Sequence, residues 1–307
     1  MNPIAQTLSA VELAAPACFR NLAVYPLIAP SERAPGYLLL DEALARNTAR
    51  VTEVSESGSV PELLFVNDAE EDVLLVDGEE LVGAKQNRIL NVTILVGAKQ
   101  QVTVPVSCVE QGRWAWRSRH FESAERSLFA RARAAKMRHV SASLQRTGTY
   151  DSDQGEIWNH VNEKLFALHV RSATGSMGDA YEERAASIED YAKALTPSER
   201  QVGAVFAVDG KVTGLDLFDS AAAFRKLMGR LVRSYAMDAI ERPADAKPPV
   251  EEVVRAFLQD MKSAALRSFP AVGKGEQLRL ESEALAGGAL YAQDHVVHLC
   301  AFRVGKK

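Results

Sequence analysis

The sequence predicts an α+β fold, a mostly antiparallel sheet built from hairpins with helical insertions packed against it. Three observations carry that prediction. Over residues 20–116, apolar residues alternate or run continuously in short stretches, the pattern of strands. The dipeptide Asp-Gly joins such stretches at Asp77-Gly78 and again at Asp209-Gly210, the strongest short-range hairpin signal. Strand-like and helix-like regions come in blocks, without the βαβ alternation of a doubly wound sheet.

In chain order, Asn21–Ala29 reads as an early strand, Leu40–Asn47 as a short helix, and Ala49–Val54 and Glu62–Asn67 as strands. VLLV-DG-EELVGA gives a hairpin about Asp77-Gly78, and RILNVTILV with VTVPVSCVE a second one about the loop Gly97–Gln101. The middle reads as helical. One helix is expected over Ser123–Gln145. A second follows Asp153, which with Glu156 forms a capping box, and a third spans Asp179–Leu195. Ala204–Phe218 is a further hairpin. Asp219 or Ser220 then caps a helix with the stripe Phe224, Leu227, Met228, Leu231, Val232, Tyr235. A linker with three prolines, Glu241–Pro249, precedes a helix over Val250–Leu266, and the C-terminal part returns to strands. The expected organisation is a single domain over 1–307, strand-rich over 20–116, helical over 117–200 and mixed over 201–307.

The 307 residues are 47% hydrophobic and 25% charged, enough apolar side chain for a sizeable core. A net charge of −4 argues against binding nucleic acid over the whole surface. Three dispersed cysteines without a CxxC exclude a disulfide framework or zinc ribbon and suggest a reducing compartment. With no signal-peptide pattern and no apolar run of membrane-spanning length, the expectation is a soluble, cytoplasmic protein.

The hexapeptide LVGAKQ stands at Leu81–Gln86 and again at Leu95–Gln100. One copy links two strands and the other makes a hairpin tip. With no third unit at the same offset, the repetition reads as accidental. The strand that holds the second copy leads to a candidate site. Strand register follows from placing apolar side chains on one face. Pairing Val96 with Val102 aligns Leu90, Val92 and Ile94 with Val104, Val106 and Cys108, and sets Arg88 directly opposite Glu110. The preceding hairpin pairs Glu80 with Leu75, among Val73 and Val82. A carboxylate in such company must be paired, protonated or facing a cleft. Glu80, Arg88 and Glu110, with Gln86, Asn87, Asn91, Arg113 and Trp114 close in sequence, form the densest polar set attached to core strands. The set reads either as a ligand site or as a structural brace, since buried Arg–carboxylate pairs also serve only to organise a fold.

The stretch LLVDGEELVGAKQNRILN…VPVSCVEQGRWAW (Leu74–Trp116) resembles an uncharacterised, mostly bacterial family, the ADP-ribosylglycohydrolase- and rhodanese/phosphatase-associated protein domain. The resemblance continues through Asp153–Trp158, Val208–Phe218 and Leu227–Ile240, and its most specific blocks are GEELVGAKQNR and VSCVEQGRW. It implies a link to ADP-ribose and NAD metabolism through genomic association, and it carries no assigned catalytic residues. Residues in these blocks are Glu79, Glu80, Lys85, Gln86, Asn87, Arg88, Glu110, Gln111, Arg113 and Trp114, with Asn91 just beyond the first block.

The functional expectation is a protein that binds or processes an ADP-ribose- or NAD-derived nucleotide. Glu80 and Glu110 would be the acid and base. Gln86, Asn87, Arg88, Asn91, Arg113 and Trp114 would hold the ligand. The alternative is a non-catalytic scaffold for ADP-ribose-related enzymes, with Glu80, Arg88 and Glu110 as its brace. Residues 117–146 carry eight Lys/Arg against two Glu. They read either as a phosphate- or nucleic-acid-facing helix or as a solvated basic face balanced by acids elsewhere, the second being preferred, with Arg131, Arg138 and Arg113 as candidate diphosphate ligands. No metal is expected: the six histidines lack ligand spacing, and His295 and His298 fall on opposite strand faces. No cofactor is implied.

Overall fold

A computed structural model describes residues 2–244 and 247–305. The fold is α+β, with nearly all strand pairs antiparallel. Its largest sheet runs Glu12–Leu13, Leu22–Ile28, Gln201–Val208, Lys211–Phe218, His295–Arg303, Leu285–Ala292, Glu276–Glu281, Ala265–Pro270, with Ala17–Phe19 beside Leu22–Ile28. Every residue of Gln201–Val208 is buried because both faces of this sheet are covered. Ala204 and Phe206 join one core with the stripe Phe224, Leu227, Leu231 of helix Ala221–Ala239. Val205 and Ala207 join a second core with helices Pro3–Ala10 and Glu251–Ser263. Alternation along the strand feeds the two cores in turn.

The remaining strands form two smaller sheets. One runs Phe121–Ser127, Glu79–Gly83, Arg88–Leu90, Gln101–Cys108, Glu62–Asn67, Ala49–Glu53. The other holds Ile94–Val96, Asp72–Leu75 and Tyr37–Leu39, the last two parallel.

Two expected hairpins are therefore absent, and one is present. At Asp209-Gly210 both residues take positive φ, 52° and 71°, and Val208 pairs with Lys211 across the turn. At Asp77-Gly78 only Gly78 does so, at 80°, although the Glu79 amide still donates to the Val76 carbonyl at 3.1 Å. A turn with positive φ at its second central residue alone splays its flanking strands, whereas positive φ at both matches their twist. Asp72–Leu75 and Glu79–Gly83 accordingly enter different sheets, so Glu80 pairs with Ile89 and not with Leu75. The second expected hairpin breaks at Asn91–Thr93. Beyond this corner Ile94–Val96 pairs with Asp72–Leu75, and Val102 pairs with Phe65. Arg88–Leu90 does pair with Gln101–Cys108, but two residues out of the expected register: Arg88 lies opposite Cys108, not Glu110. A two-residue shift keeps every side chain on its face, so the apolar pattern could not distinguish the registers.

The expected helix over Ser123–Gln145 begins only at Ala130 and ends at Thr147, capped by Gly148 in the left-handed region. Phe121–Ser127 is a strand instead, because pairing with Glu79–Gly83 overrides the helix propensity of ESAER. Asp153 caps its helix by accepting from the Glu156 amide at 3.1 Å. The helix expected over Asp179–Leu195 is two, Met177–Glu183 and Ala185–Ala194. Ser220, not Asp219, caps Ala221–Ala239. The last helix stops at Ser263, and Ala265–Pro270 is a strand. Within the proline-rich linker, Asp245 and Ala246 lie outside the described residues.

The basic segment is solvated in part: Arg117, Arg119, Arg131, Arg138 and Arg146 are exposed. Arg133 and Lys136 point from helix Ala130–Thr147 into the interior. Arg133 donates to Asp216 at 2.6 and 3.1 Å and to Asp77 at 3.3 Å, and Lys136 pairs with Asp77. Arg131 is paired with Glu163 at 3.0 Å.

Candidate functional site

Gly83 and Ala84 turn the chain between Glu79–Gly83 and Arg88–Leu90 with φ of 130° and 37°. This turn presents Lys85, Gln86 and Asn87. Arg113 grips it from outside, donating to the carbonyls of Gly83 at 3.3 Å and Ala84 at 2.8 Å and to Asn87 Oδ1 at 2.9 Å. Beyond Cys108 the chain passes the same turn. The Val109 amide donates to the Asn87 carbonyl at 3.1 Å, and the Asn87 amide donates to Glu110 Oε2 at 3.2 Å. Glu110 thus reaches the polar set by a route other than strand pairing.

The ion pairs differ from the expected ones. Glu110 pairs with Arg113 at 2.7 Å and accepts from the Thr174 hydroxyl at 3.0 Å. Glu80 is fully buried, pairs with Arg126 at 2.5 Å and accepts from Asn87 Nδ2 at 3.5 Å. Arg88 takes neither carboxylate. Its relative exposure is 0%, and its one hydrogen bond runs from Nη1 to Gln86 Oε1 at 2.9 Å. Nε and Nη2 are buried without a partner. The Trp114 ring centroid lies 5.5 Å from the guanidinium. Burial lowers the pKa of Arg88, yet arginine stays charged in proteins.

Close enough to act electrostatically on Arg88 is Glu53, buried at the end of strand Ala49–Glu53. Its Oε1 accepts from the Lys85 amide at 3.4 Å, while Oε2 has no partner. Lys85 Nζ donates to the Ser57 carbonyl at 2.7 Å and lies 5.4 and 5.1 Å from the Trp114 and Trp116 rings. Gly58, at φ 76°, closes the segment after Glu53 over this group. A Cβ there would stand 3.3 Å from Glu53 Oε2, Lys85 Cδ and Trp114 Cζ2. Trp114 and Trp116 are 48% and 47% exposed, so the group is buried cations and a carboxylate behind an aromatic rim.

The structure therefore brings together Glu80, Gln86, Asn87, Arg88, Glu110, Arg113 and Trp114. Asn91 stands apart. Its side chain donates to the Tyr150 carbonyl at 3.0 Å and accepts from the Ser107 hydroxyl at 2.7 Å, and its own carbonyl takes Lys136. Glu53 and Trp116 had no signal in the sequence beyond residue type, because long-range pairing alone delivers Glu53. Lys85 was legible in the block GEELVGAKQNR.

The two carboxyls titrate in opposite senses. Burial raises the Glu80 pKa, and Arg126 only partly counters it. Burial also acts on Glu110, but Arg113, the Asn87 amide and Thr174 outweigh it and hold that carboxyl below its usual range. A raised folded-state pKa gives stability that is present below the unfolded value of about 4.3 and lost as pH rises through the folded one. A lowered pKa gives stability present above about 4.3 and lost as pH falls through the folded value. Chemical denaturation across pH should therefore separate two variants. Relative to wild type, Glu80→Gln gains stability as pH rises above that value and Glu110→Gln loses it. Parallel profiles for the two would contradict this assignment.

Among the described residues no helix is long and apolar enough to cross a membrane. No curated protein and no solved structure matches the chain. One family model does, over residues 10–302, nearly the whole length and both polar blocks around Arg88. The chain belongs to the family of the ARG and Rhodanese-Phosphatase-superfamily-associated Protein domain.

Proposed function

We propose that the Arg88 group binds a phosphate-bearing, nucleotide-type small molecule of the ADP-ribose or NAD class. One observation carries the reading: Arg88 is buried and, among the described residues, two of its guanidinium nitrogens have no partner and it forms no ion pair within 4 Å. A brace places opposite charges in contact, as Glu80–Arg126 and Glu110–Arg113 do. A buried cation left unmatched costs several kcal/mol, so its retention favours an anionic partner that arrives from outside. Guanidinium N–H groups suit phosphate oxygens, the free Glu53 oxygen suits a sugar hydroxyl, and the exposed indoles suit a base. Access to Arg88 in this reading requires Trp114 to swing off the guanidinium. The Glu80 pKa is raised by burial and that of Glu110 lowered by Arg113, opposite shifts of the kind an acid–base pair uses. Glu80 and Glu110 are the residues proposed for any turnover of the ligand. The expected link to ADP-ribose-related enzymes follows from the same ligand class.

Wild type and Arg88→Met are screened by thermal shift against ADP-ribose, NAD, ADP and ribose phosphates, with and without Mg²⁺. A ligand at about 100 times its Kd stabilises the folded state by about 2.7 kcal/mol. The expected result is a melting temperature raised by ligand in wild type and unchanged by it in a folded Arg88→Met. Indifference of wild type to every ligand, with a variant that melts far lower, would reject the site in favour of the scaffold reading.

A further inference from the structure

A second unmatched cation lies in the core, far along the chain from the Arg88 group. Arg279, on strand Glu276–Glu281, is 2% exposed. Its Nη1 meets only Met137 Sδ, and Nε and Nη2 have no partner. Gly288 on the neighbouring strand makes room for it, since a Cβ there would stand 2.7 Å from Nη1 and 3.2 Å from Cδ.

Arg279 shares a small cavity with His298, Cys300 and Thr93. Every lining residue is buried. The volume is about 10 Å³, room for the centre of one water molecule or one monatomic ion.

The unpartnered Arg279 nitrogens, Nε and Nη2, are donors only. The Thr93 hydroxyl accepts from the Asp77 amide at 3.0 Å and lies 2.7 Å from His298 Nδ1. The other ring nitrogen, His298 Nε2, faces Asp216 Oδ1 at 3.4 Å. The nearby carboxylates are already used. Both oxygens of Asp77 are taken by Arg133 and Lys136, and both of Asp216 by Arg133. Among the described residues the carboxylates facing Arg133, Lys136 and Arg279 are Asp77 and Asp216, which leaves one positive charge in excess. Asp216, His298 and Cys300 also lie within 4.8 Å of one another, as metal ligands would. A divalent cation is disfavoured there, because it would add to the positive surplus and compete with Arg133 for Asp216.

We propose that this cavity binds one small monovalent anion, a halide such as chloride, held by Arg279 Nε and Nη2. The anion neutralises the surplus charge and occupies the donors that no protein group meets.

Crystals of wild type grown or soaked in bromide test the site directly. An anomalous bromide peak within hydrogen-bond distance of Arg279 supports it, and a water with no anomalous signal there overturns it. In solution, chloride is exchanged for gluconate, too large for the cavity, at constant ionic strength. The expected result is a melting temperature higher in chloride by about 2 °C or more for wild type. Arg279→Met should lose that difference. An equal response of wild type and variant would overturn the proposal. If Arg279→Met does not fold, the bromide crystals decide.

Discussion

Replacement of Arg133 by methionine is expected to destabilise the protein by about 3–5 kcal/mol, the usual cost of removing one partner from a buried charge cluster. Arg133 and Asp216 have no accessible surface, and Asp77 is 2% exposed. Without the guanidinium, Asp216 keeps only the Tyr235 hydroxyl at 3.2 Å and the His298 ring at 3.4 Å. The loss should be smaller in acid. Burial acts to raise the Asp216 pKa, but Arg133 and His298 overcome it and hold the carboxyl below its usual range. In wild type that gives stability above about pH 3.9, lost as pH falls through the folded value. In the variant, protonation of Asp216 relieves the orphaned charge, so the deficit narrows as pH falls. Urea titrations of Arg133→Met, Asp216→Asn and the double variant give the coupling between the two residues. A loss under about 1 kcal/mol for Arg133→Met at pH 7, below the range for a broken buried pair, would show that the cluster is open to water.

The second large effect is expected at Gly83. Its φ of 130° is a conformation that residues with a Cβ avoid, and a Cβ there would meet Ser118 Oγ at 2.5 Å and the His120 carbonyl at 2.7 Å. Gly83→Ala should cost about 2–3 kcal/mol from backbone strain, with the clash in addition. Because the Gly83 carbonyl takes Arg113 and its amide donates to Asn87, the same variant should lose the ligand response proposed for Arg88. Gly148→Ala is the control. It also sits at positive φ, 74°, but nothing lies within 4 Å of an added Cβ. Only the left-handed penalty of about 1–2 kcal/mol applies there. Thermal denaturation of both variants checks the contrast, and equal losses would refute the role given to the His120 contact.

Much of the polar set was legible because it is local. Lys85 to Arg88 are consecutive, Glu110 to Trp114 nearly so, and the two segments flank one strand pair whose apolar faces can be read directly. The ion pairing was not legible. A shift of two residues preserves every face, so sequence pattern could not choose Cys108 over Glu110 as the partner of Arg88. Arg126 and Glu53 join the group through strand pairings at long sequence separation, and no local rule sets those.

The sequence by itself determined the α+β class, the placement of most strands and helices, the Asp153 cap and the Asp209-Gly210 hairpin. Those features follow from periodicity, capping and turn chemistry within a few residues. Tertiary structure decided that the other Asp-Gly turns a corner between two sheets, because its partners across the turn are claimed by Ile94–Val96 and Arg88–Leu90. It also turned Arg133 and Lys136 inward, where Asp77 and Asp216 wait. Charge in a sequence gives no direction. Whether an arginine meets water, a carboxylate or nothing is set by what the rest of the chain brings to it, and at Arg88 and Arg279 no described residue brings a counter-charge within contact.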